Sequence, residues 1–517
     1  NLFIRIDVLA KNGRELELIE VKAKSYDKLE GVNSFMNKNG SLSSAWRSYF
    51  YDVAFQTHVL ELAMPGYKVQ PYLMLIDKHA RCPTDGLHQK FRVVRNTKSH
   101  KGVSVSSELV LEDLDPQILI KVPVDEQVRF IHSGRDPDGP VDFGAEVKWL
   151  AAAYEADQRI QTPIGSKCRG CEFGRKKEEL AEGQRSGFRE CWSQELGWTD
   201  NDFNDPSILD LWGYRKKDDR IAEGRAKLEQ IKKSDIGVKP KTTPGLSTSE
   251  RQWLQVQKAI DCDTTPWLDA PGLCTEMATW TYPLHFIDFE TTMVAIPFNK
   301  GRHPYEGVAF QFSHHTIQED GLVAHTGEYL NTERGVFPNY KMVRELKTQL
   351  ENDDGTIFRY AHHENTFLCK IHTQLRTDPE PPADQQELMS FIRRITRSGR
   401  GNKQEWSGKR RMVDMLELVK RYCYLPQTNG SNSLKYVLPA ILNASVALQA
   451  KYSKPIYGAE GGIKSHNFKD WQWARNENGR VIDPYELLPR MFDDAFGKTQ
   501  ELISDEYIDE VEENSDR

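Results

Sequence analysis

A chain of 517 residues is too long for one hydrophobic core and should divide into two or three domains. With 28% charged and 10% aromatic residues, 11 of them Trp, it can build packed interiors, and no apolar run is long enough to span a bilayer, so no membrane partner is expected. The net charge of -7 argues against nonspecific coating of nucleic acid but leaves room for a local basic groove. The 8 cysteines, three of them clustered, do not form the pattern of a secreted disulfide framework, so a reducing cytoplasm is the expected setting. The first residue is Asn1 and a strand-like pattern starts at once, so the chain reads as a piece of a longer one.

Phe3 to Ala10 and Leu16 to Ala23 are β-rich runs about an Asn12-Gly13 turn, which predicts a hairpin. On it lie Asp7, Glu20 and Lys22, in the pattern D…ExK. Two carboxylates can hold a divalent metal, and an ammonium beside them orients water or steadies developing phosphate charge. The competing reading is a solvated strand face that carries these residues by chance. Helical spacing runs from Ser48 to Leu62, with Gln56 placed to face the trio, and a strand follows from Tyr72 to Lys78. This order resembles the PD-(D/E)XK nucleases, in the RecB-like branch whose helix carries Q-x-x-x-Y. Leu60 stands at the tyrosine position, so only Gln56 carries over. The acidic or histidine-bearing helix that precedes D…ExK in that family would lie before residue 1.

Farther on, Cys168 and Cys171 form a C-x-x-C, and Cys191 follows. Such thiols suit zinc, a redox pair or an iron–sulfur cluster. The resemblance to iron–sulfur members of the RecB-like branch implies a [4Fe–4S] cluster on Cys168, Cys171 and Cys191, with a further cysteine before the nuclease core; zinc is the alternative. From Asp210 to Gln255 the chain is rich in Lys, Arg, Glu and Gln, with helical spacing around Ile221 to Ile231 and a Gly/Pro-broken linker near 234–247. Ser247 or Thr248 can cap a helix starting near Glu250.

Leu284 to Thr292 reads as a strand buried on both faces. Asp288 and Glu290, one residue apart, share a face of it. Two adjacent carboxylates repel, and Mg²⁺ or Mn²⁺ is the natural compensation; acids facing solvent at a strand end are the alternative. Strands follow at Val308–Ser313 and Thr356–Ala361, and Glu364 comes just after the second, at a helix start. His362 and His363 are expected to be packed or solvated rather than ligands. Asp414 opens the run Asp414-Met415-Leu416-Glu417-Leu418-Val419-Lys420-Arg421, and Asn432-Ser433-Leu434-Lys435 comes after it. This sequence of motifs resembles the DnaQ-like (DEDD) 3′–5′ exonucleases, whose fold is RNase H-like, a mixed sheet with flanking helices. The resemblance implies that Asp288 and Glu290 are metal ligands, that Glu364 stands where the second-motif Asp is usual, and that Asp414 is a supporting position. It also implies a fourth acid on a C-terminal helix. The nearest candidate, Asp470 after His466, is one residue short of the family spacing, so the exonuclease site is expected to be incomplete in this chain.

Taken whole, the sequence resembles bacterial proteins that fuse a RecB-like, cysteine-bearing nuclease to a DnaQ-like exonuclease. The expected class is α/β. A PD-(D/E)XK nuclease-like domain with the Cys cluster would occupy 1–200, N-terminally incomplete. A helical connector would occupy 201–279, and an RNase H-like domain 280–517, C-terminally incomplete. Arg393, Arg394, Arg397, Arg400, Lys403, Lys409, Arg410 and Arg411, with Trp406 among them, are a candidate phosphate-tracking and base-stacking surface, or else a mobile basic loop. The function expected is a metal-dependent nuclease, on DNA more than RNA. A nucleic-acid-binding or assembly protein with decayed nuclease folds is the alternative, and a sugar- or nucleotide-phosphate hydrolase a distant third.

Overall fold

The computed structural model describes residues 2–95, 101–175, 177–399, 404–465, 468–477 and 479–488. Arg400, Lys403, His466 and the acidic tail lie outside them. The protein is a mixed α/β molecule that divides into two compact units. Residues 1–163, 281–315 and 326–413 form one, and 164–280, 316–325 and 414–517 form the other.

The first unit holds the sheet that begins the chain. Strand Val8–Asn12 turns at Gly13, whose φ of +59° suits a residue without Cβ, into the long strand Glu15–Tyr26. Helix Ser44–Ala63 then crosses over to strand Lys68–Asp77, which pairs in parallel with Glu15–Tyr26, and Leu119–Pro123 closes the sheet antiparallel. Leu16 and Leu18 on the sheet and Phe50, Val53, Ala54 and Leu60 on the helix share one apolar core. Leu60 is therefore a packing residue.

A second sheet, in the order Val323–Leu330, Val308–Ile317, Leu284–Thr292, Ile357–Arg359 and Val413–Asp414, is packed with helices Asn339–Leu350, His363–Thr377 and Gln385–Ile395. Period-2 geometry aims Ile287 and Phe289 into that core, while Asp288 and Glu290 take the other face and are exposed. The expectation that this strand is buried on both faces is thus corrected: two charged positions keep the second face open. Loop residues 80–86 and 297–303 lie together. Cys82 N–H donates to Arg302 O at 2.9 Å, Gly301 N–H to Cys82 O at 2.8 Å, and Gly86 N–H to Phe298 O at 2.9 Å.

In the second unit the residues after 200 are not one long helical run. Gly224, at φ +72°, interrupts the helical spacing, leaving the helix Lys217–Ala222 and a 3₁₀ turn at Leu228–Gln230. Ile208, Leu209, Leu211, Ile221, Leu228 and Ile231 close on Trp192 and Val256 in a core of their own. Ser247 caps helix Thr248–Ile260 in a reciprocal box with Glu250, as the sequence predicts. From that helix the buried Arg251 reaches the carbonyls of Val419, Lys420 and Cys423 and the Asn432 Oδ1, which ties the Asn-Ser-Leu-Lys motif down as structure. No described helix is long and apolar enough to cross a membrane.

Candidate active sites

Glu20 and Lys22 point from strand Glu15–Tyr26 to the helix side, and Asp52 and Gln56 come one turn apart from helix Ser44–Ala63. Their heads meet. Lys22 Nζ donates to Glu20 Oε1 at 2.7 Å and to Asp52 Oδ2 at 2.9 Å. Gln56 Nε2 donates to Glu20 Oε2 at 2.8 Å and to Asp52 Oδ1 at 3.0 Å. Glu20 and Gln56 are only 6% and 5% exposed, so these bonds form in a largely dry setting. Asp7, itself exposed, accepts from Val21 N–H at 2.9 Å, which seats it beside the backbone between Glu20 and Lys22.

The electrostatics follow from that contact set. Burial opposes the charge on Lys22, but the hydrogen bonds and charges of Glu20 and Asp52 outweigh it and raise the lysine pKa. Burial likewise opposes the Asp52 charge, and the bonds from Gln56 and Lys22 reverse that and lower its pKa. One acceptor is left over: Gln56 Oε1 is buried with no hydrogen-bond partner. The structure thus joins the sequence-identified Glu20, Lys22 and Gln56 in one hydrogen-bonded group, adds Asp52 to it, and ties Asp7 to the neighbouring backbone N–H of Val21. The sequence signal for Asp52 is its place four residues before Gln56, on the same face of the helix.

The second candidate site is arranged differently. Asp288 and Glu290 reach solvent from strand Leu284–Thr292, and among the described residues neither has an ion-pair partner. Surrounding protein still desolvates both. That raises the Asp288 pKa, and at Glu290 the nearby Asp288 charge adds to it. Strand Ile357–Arg359 runs parallel beside this strand, with Ile357 opposite His285, so the chain leaving it delivers Glu364 toward the same end of the sheet. Glu364 is 2% exposed, in the first turn of helix His363–Thr377. Its neighbour His363 meets Thr291 Oγ1 at 3.0 Å, and burial lowers its pKa, followed by the charge of His362. His363 is a packed residue, as expected.

Asp414 spends its carboxylate as a helix cap, accepting from Leu416 N–H at 3.0 Å. Asp470 lies in the second unit, exposed, at φ +49°. Cys168 sits on the 3₁₀ turn Ser166–Gly170, Cys171 just after it, and Cys191 in helix Gly187–Leu196; Cys168 and Cys191 pack on the Trp192 core. All 8 cysteines are free of disulfides. Among the described residues no group of three or more His, Cys, Asp or Glu is placed to hold a metal ion.

The basic stretch is largely engaged in the protein's own contacts. Arg410 donates to Gly355 O at 2.7 Å, to Leu350 O and to Asp353 Oδ1 at 3.0 Å, so it closes a helix end. Arg394 pairs with Asp354 at 2.5 Å, and Arg393 donates to His372 Nε2 at 2.9 Å. Trp406 lies tilted against His372 and donates its N–H to Thr396 Oγ1, so its ring is part of the packing. Arg397, Lys409 and Arg411 are exposed.

Against known proteins, comparison with curated sequences and with solved structures gives no match. A family profile described as a domain of unknown function (DUF2779) matches residues 285–433, a stretch similar to that family which contains Asp288, Glu290, Glu364 and Asp414.

Proposed function

We propose that this protein is a metal-dependent nuclease with two phosphodiesterase sites, acting on DNA in preference to RNA. The observation that carries the reading is the convergence of Glu20, Lys22 and Gln56, drawn from a strand and the helix crossing over it, into one hydrogen-bonded group. Chance acids on a solvated strand have no reason to meet a buried glutamine and a shared ammonium. The hairpin, crossover helix and parallel strand are compatible with a PD-(D/E)XK nuclease core, and the second sheet with an RNase H-like one.

Mg²⁺ or Mn²⁺ would be held at the first site by Asp7 and Glu20, and at the second by Asp288 and Glu290, with Glu364 at the same end of the sheet. The donor set suits a hard cation: Mg²⁺ is commonly held by one or two carboxylates together with substrate phosphates. The unpartnered Gln56 Oε1 offers a further acceptor beside Glu20 for a coordinated water. When bound, the ion supplies Lewis-acid stabilisation of phosphoryl charge. Lys22 meets the non-bridging oxygens of the scissile phosphate, and its raised pKa keeps it cationic for that task. Gln56 and Asp52 fix the rotamers of Glu20 and Lys22, so little reorganisation is needed during the reaction. Cys168, Cys171 and Cys191 are proposed ligands of a [4Fe–4S] cluster, with zinc as the alternative.

A second reading, a nucleic-acid-binding protein with decayed nuclease folds, is favoured by one observation: the described residues assemble no three-ligand group. The test is degradation of end-labelled single- and double-stranded DNA and RNA with Mg²⁺ or Mn²⁺, and with EDTA. Metal-dependent cleavage that Glu20→Gln reduces supports the enzyme; salt-sensitive binding with no cleavage supports the binding protein.

A further inference from the structure

A cavity of about 800 Å³ opens where the second acidic strand ends. Ligand sites commonly measure roughly 300–1,000 Å³. Thr291 and Thr292, the residues that follow Glu290, line it, and Phe298 and Phe310 give it aromatic walls. Gly86, His88 and Gln89 of the N-terminal segment also line it. That segment is anchored: Gly86 N–H donates to Phe298 O at 2.9 Å, and Lys300 N–H to Asp85 Oδ1 at 2.8 Å. His88 stands edge-on to Phe298 with ring centroids 4.6 Å apart.

Two lining residues carry polar atoms with no hydrogen-bond partner. His88 Nδ1 and Asn331 Oδ1 are both buried and unsatisfied. Leaving such atoms unpaired costs stability, and a bound ligand that pairs them accounts for their retention. Burial lowers the His88 pKa, so the ring is neutral at pH 7 and can accept as well as donate. Arg334, exposed among the lining residues, has no ion-pair partner among the described residues and offers a cation for phosphate. Aromatic walls, an uncharged imidazole, an amide oxygen and a cation together match a flat heterocycle joined to a phosphate.

We propose that this cavity seats the base of a nucleotide beside Asp288 and Glu290, and that the N-terminal segment, through His88, determines how tightly the base is held. The inference rests on the phosphodiesterase reading only for the source of the nucleotide, a chain end; a free nucleotide carries the same chemistry.

Calorimetric titration of the full chain with AMP, dTMP and ribose 5-phosphate tests it, for the parent and for His88→Ala and Phe298→Ala. The nucleotides should bind at least tenfold more tightly than ribose 5-phosphate, and both variants should lose fivefold or more. On an end-labelled oligonucleotide, His88→Ala should raise KM by a similar factor with kcat within twofold, and His88→Gln should restore part of the loss. Equal affinity for ribose 5-phosphate, or nucleotide binding that neither variant changes, overturns the proposal. Base-dependent binding in a parent that cleaves nothing keeps the pocket and assigns it to a free nucleotide. Cleavage with no nucleotide binding and an unchanged KM in His88→Ala removes the pocket and leaves the nuclease.

Discussion

At the first acidic site each oxygen of Glu20 has a protein donor, Lys22 on one side and Gln56 on the other. At the second, Asp288 and Glu290 stand on one strand face with no cation paired to either among the described residues, and each carboxyl is pushed above its usual pKa. The difference teaches where the compensating charge comes from. The first site carries its own counter-charge and is assembled by the fold. The second has no such counter-charge among the described residues, which is the part the proposed Mg²⁺ or Mn²⁺ would play.

The largest effects should come from breaking the first arrangement. Glu20→Gln should cut cleavage at that site by about a hundredfold or more, since a ligand and the Lys22 partner go together. Lys22→Met should be comparably damaging. It should also lower Tm, because Glu20 and Asp52 would then face each other with no cation between them. A circular-dichroism melt and single-turnover kinetics separate the two losses.

The second site should respond in the opposite sense. Asp288→Asn removes a like-charge neighbour of Glu290, so the metal-free variant should melt no lower than the parent at pH 7, while the little exonuclease activity that an incomplete site supports is lost. Adding Mn²⁺ should raise the parent's Tm, by about 2.7 kcal/mol of stabilisation at a hundred times Kd, and should move Asp288→Asn much less. The pH dependence has a defined sign. A carboxyl whose folded pKa is raised binds its proton more readily folded than unfolded, so stability falls as pH rises from the unfolded to the folded value. Asp288→Asn should flatten that part of the curve in metal-free protein.

A pH effect of the opposite sign is expected from the buried pair His285 and His314, whose rings meet at 2.9 Å. Burial pushes His314 down to about 4. A depressed histidine makes the unfolded state take up the proton first, so stability is lost as pH falls through the range between about 6.5 and that value, by up to about 3 kcal/mol. His314→Gln should reduce that slope. The least effect is expected from Gln56→Leu, which leaves Lys22 on Glu20 but frees its second oxygen; cleavage should fall by about tenfold with binding little changed.

The legible parts of this chain were those set by local pattern. A hairpin turn at the Asn-Gly pair, the helix around Gln56 and a cap at Ser247 follow from turn chemistry, helical period and side-chain capping; the structure has the helix and the cap and sets the turn one residue on, at Gly13-Arg14. What remained hidden depends on distant partners. The helical spacing from Ile221 to Ile231 gave no warning that Gly224 breaks it, or that these residues close on Trp192. A cluster of arginines reads alike in sequence whether it faces solvent or, as with Arg410, closes a helix end. An acid on a helix is usually solvated; only the approach of Lys22 gives Asp52 a role.

The central claim, two chemically separate phosphodiesterase sites, is tested most directly by one set of digests. Parent, Glu20→Gln, Asp288→Asn and the double variant are each incubated with Mn²⁺ and with DNA labelled at either the 5′ or the 3′ end. Each single variant should lose a different part of the products, the larger part for Glu20→Gln and, for Asp288→Asn, only the slight 3′ shortening expected of an exonuclease site without its fourth acid, and the double variant should be inert. A double variant that cleaves like the parent, or two singles that lose the same products, would contradict the account.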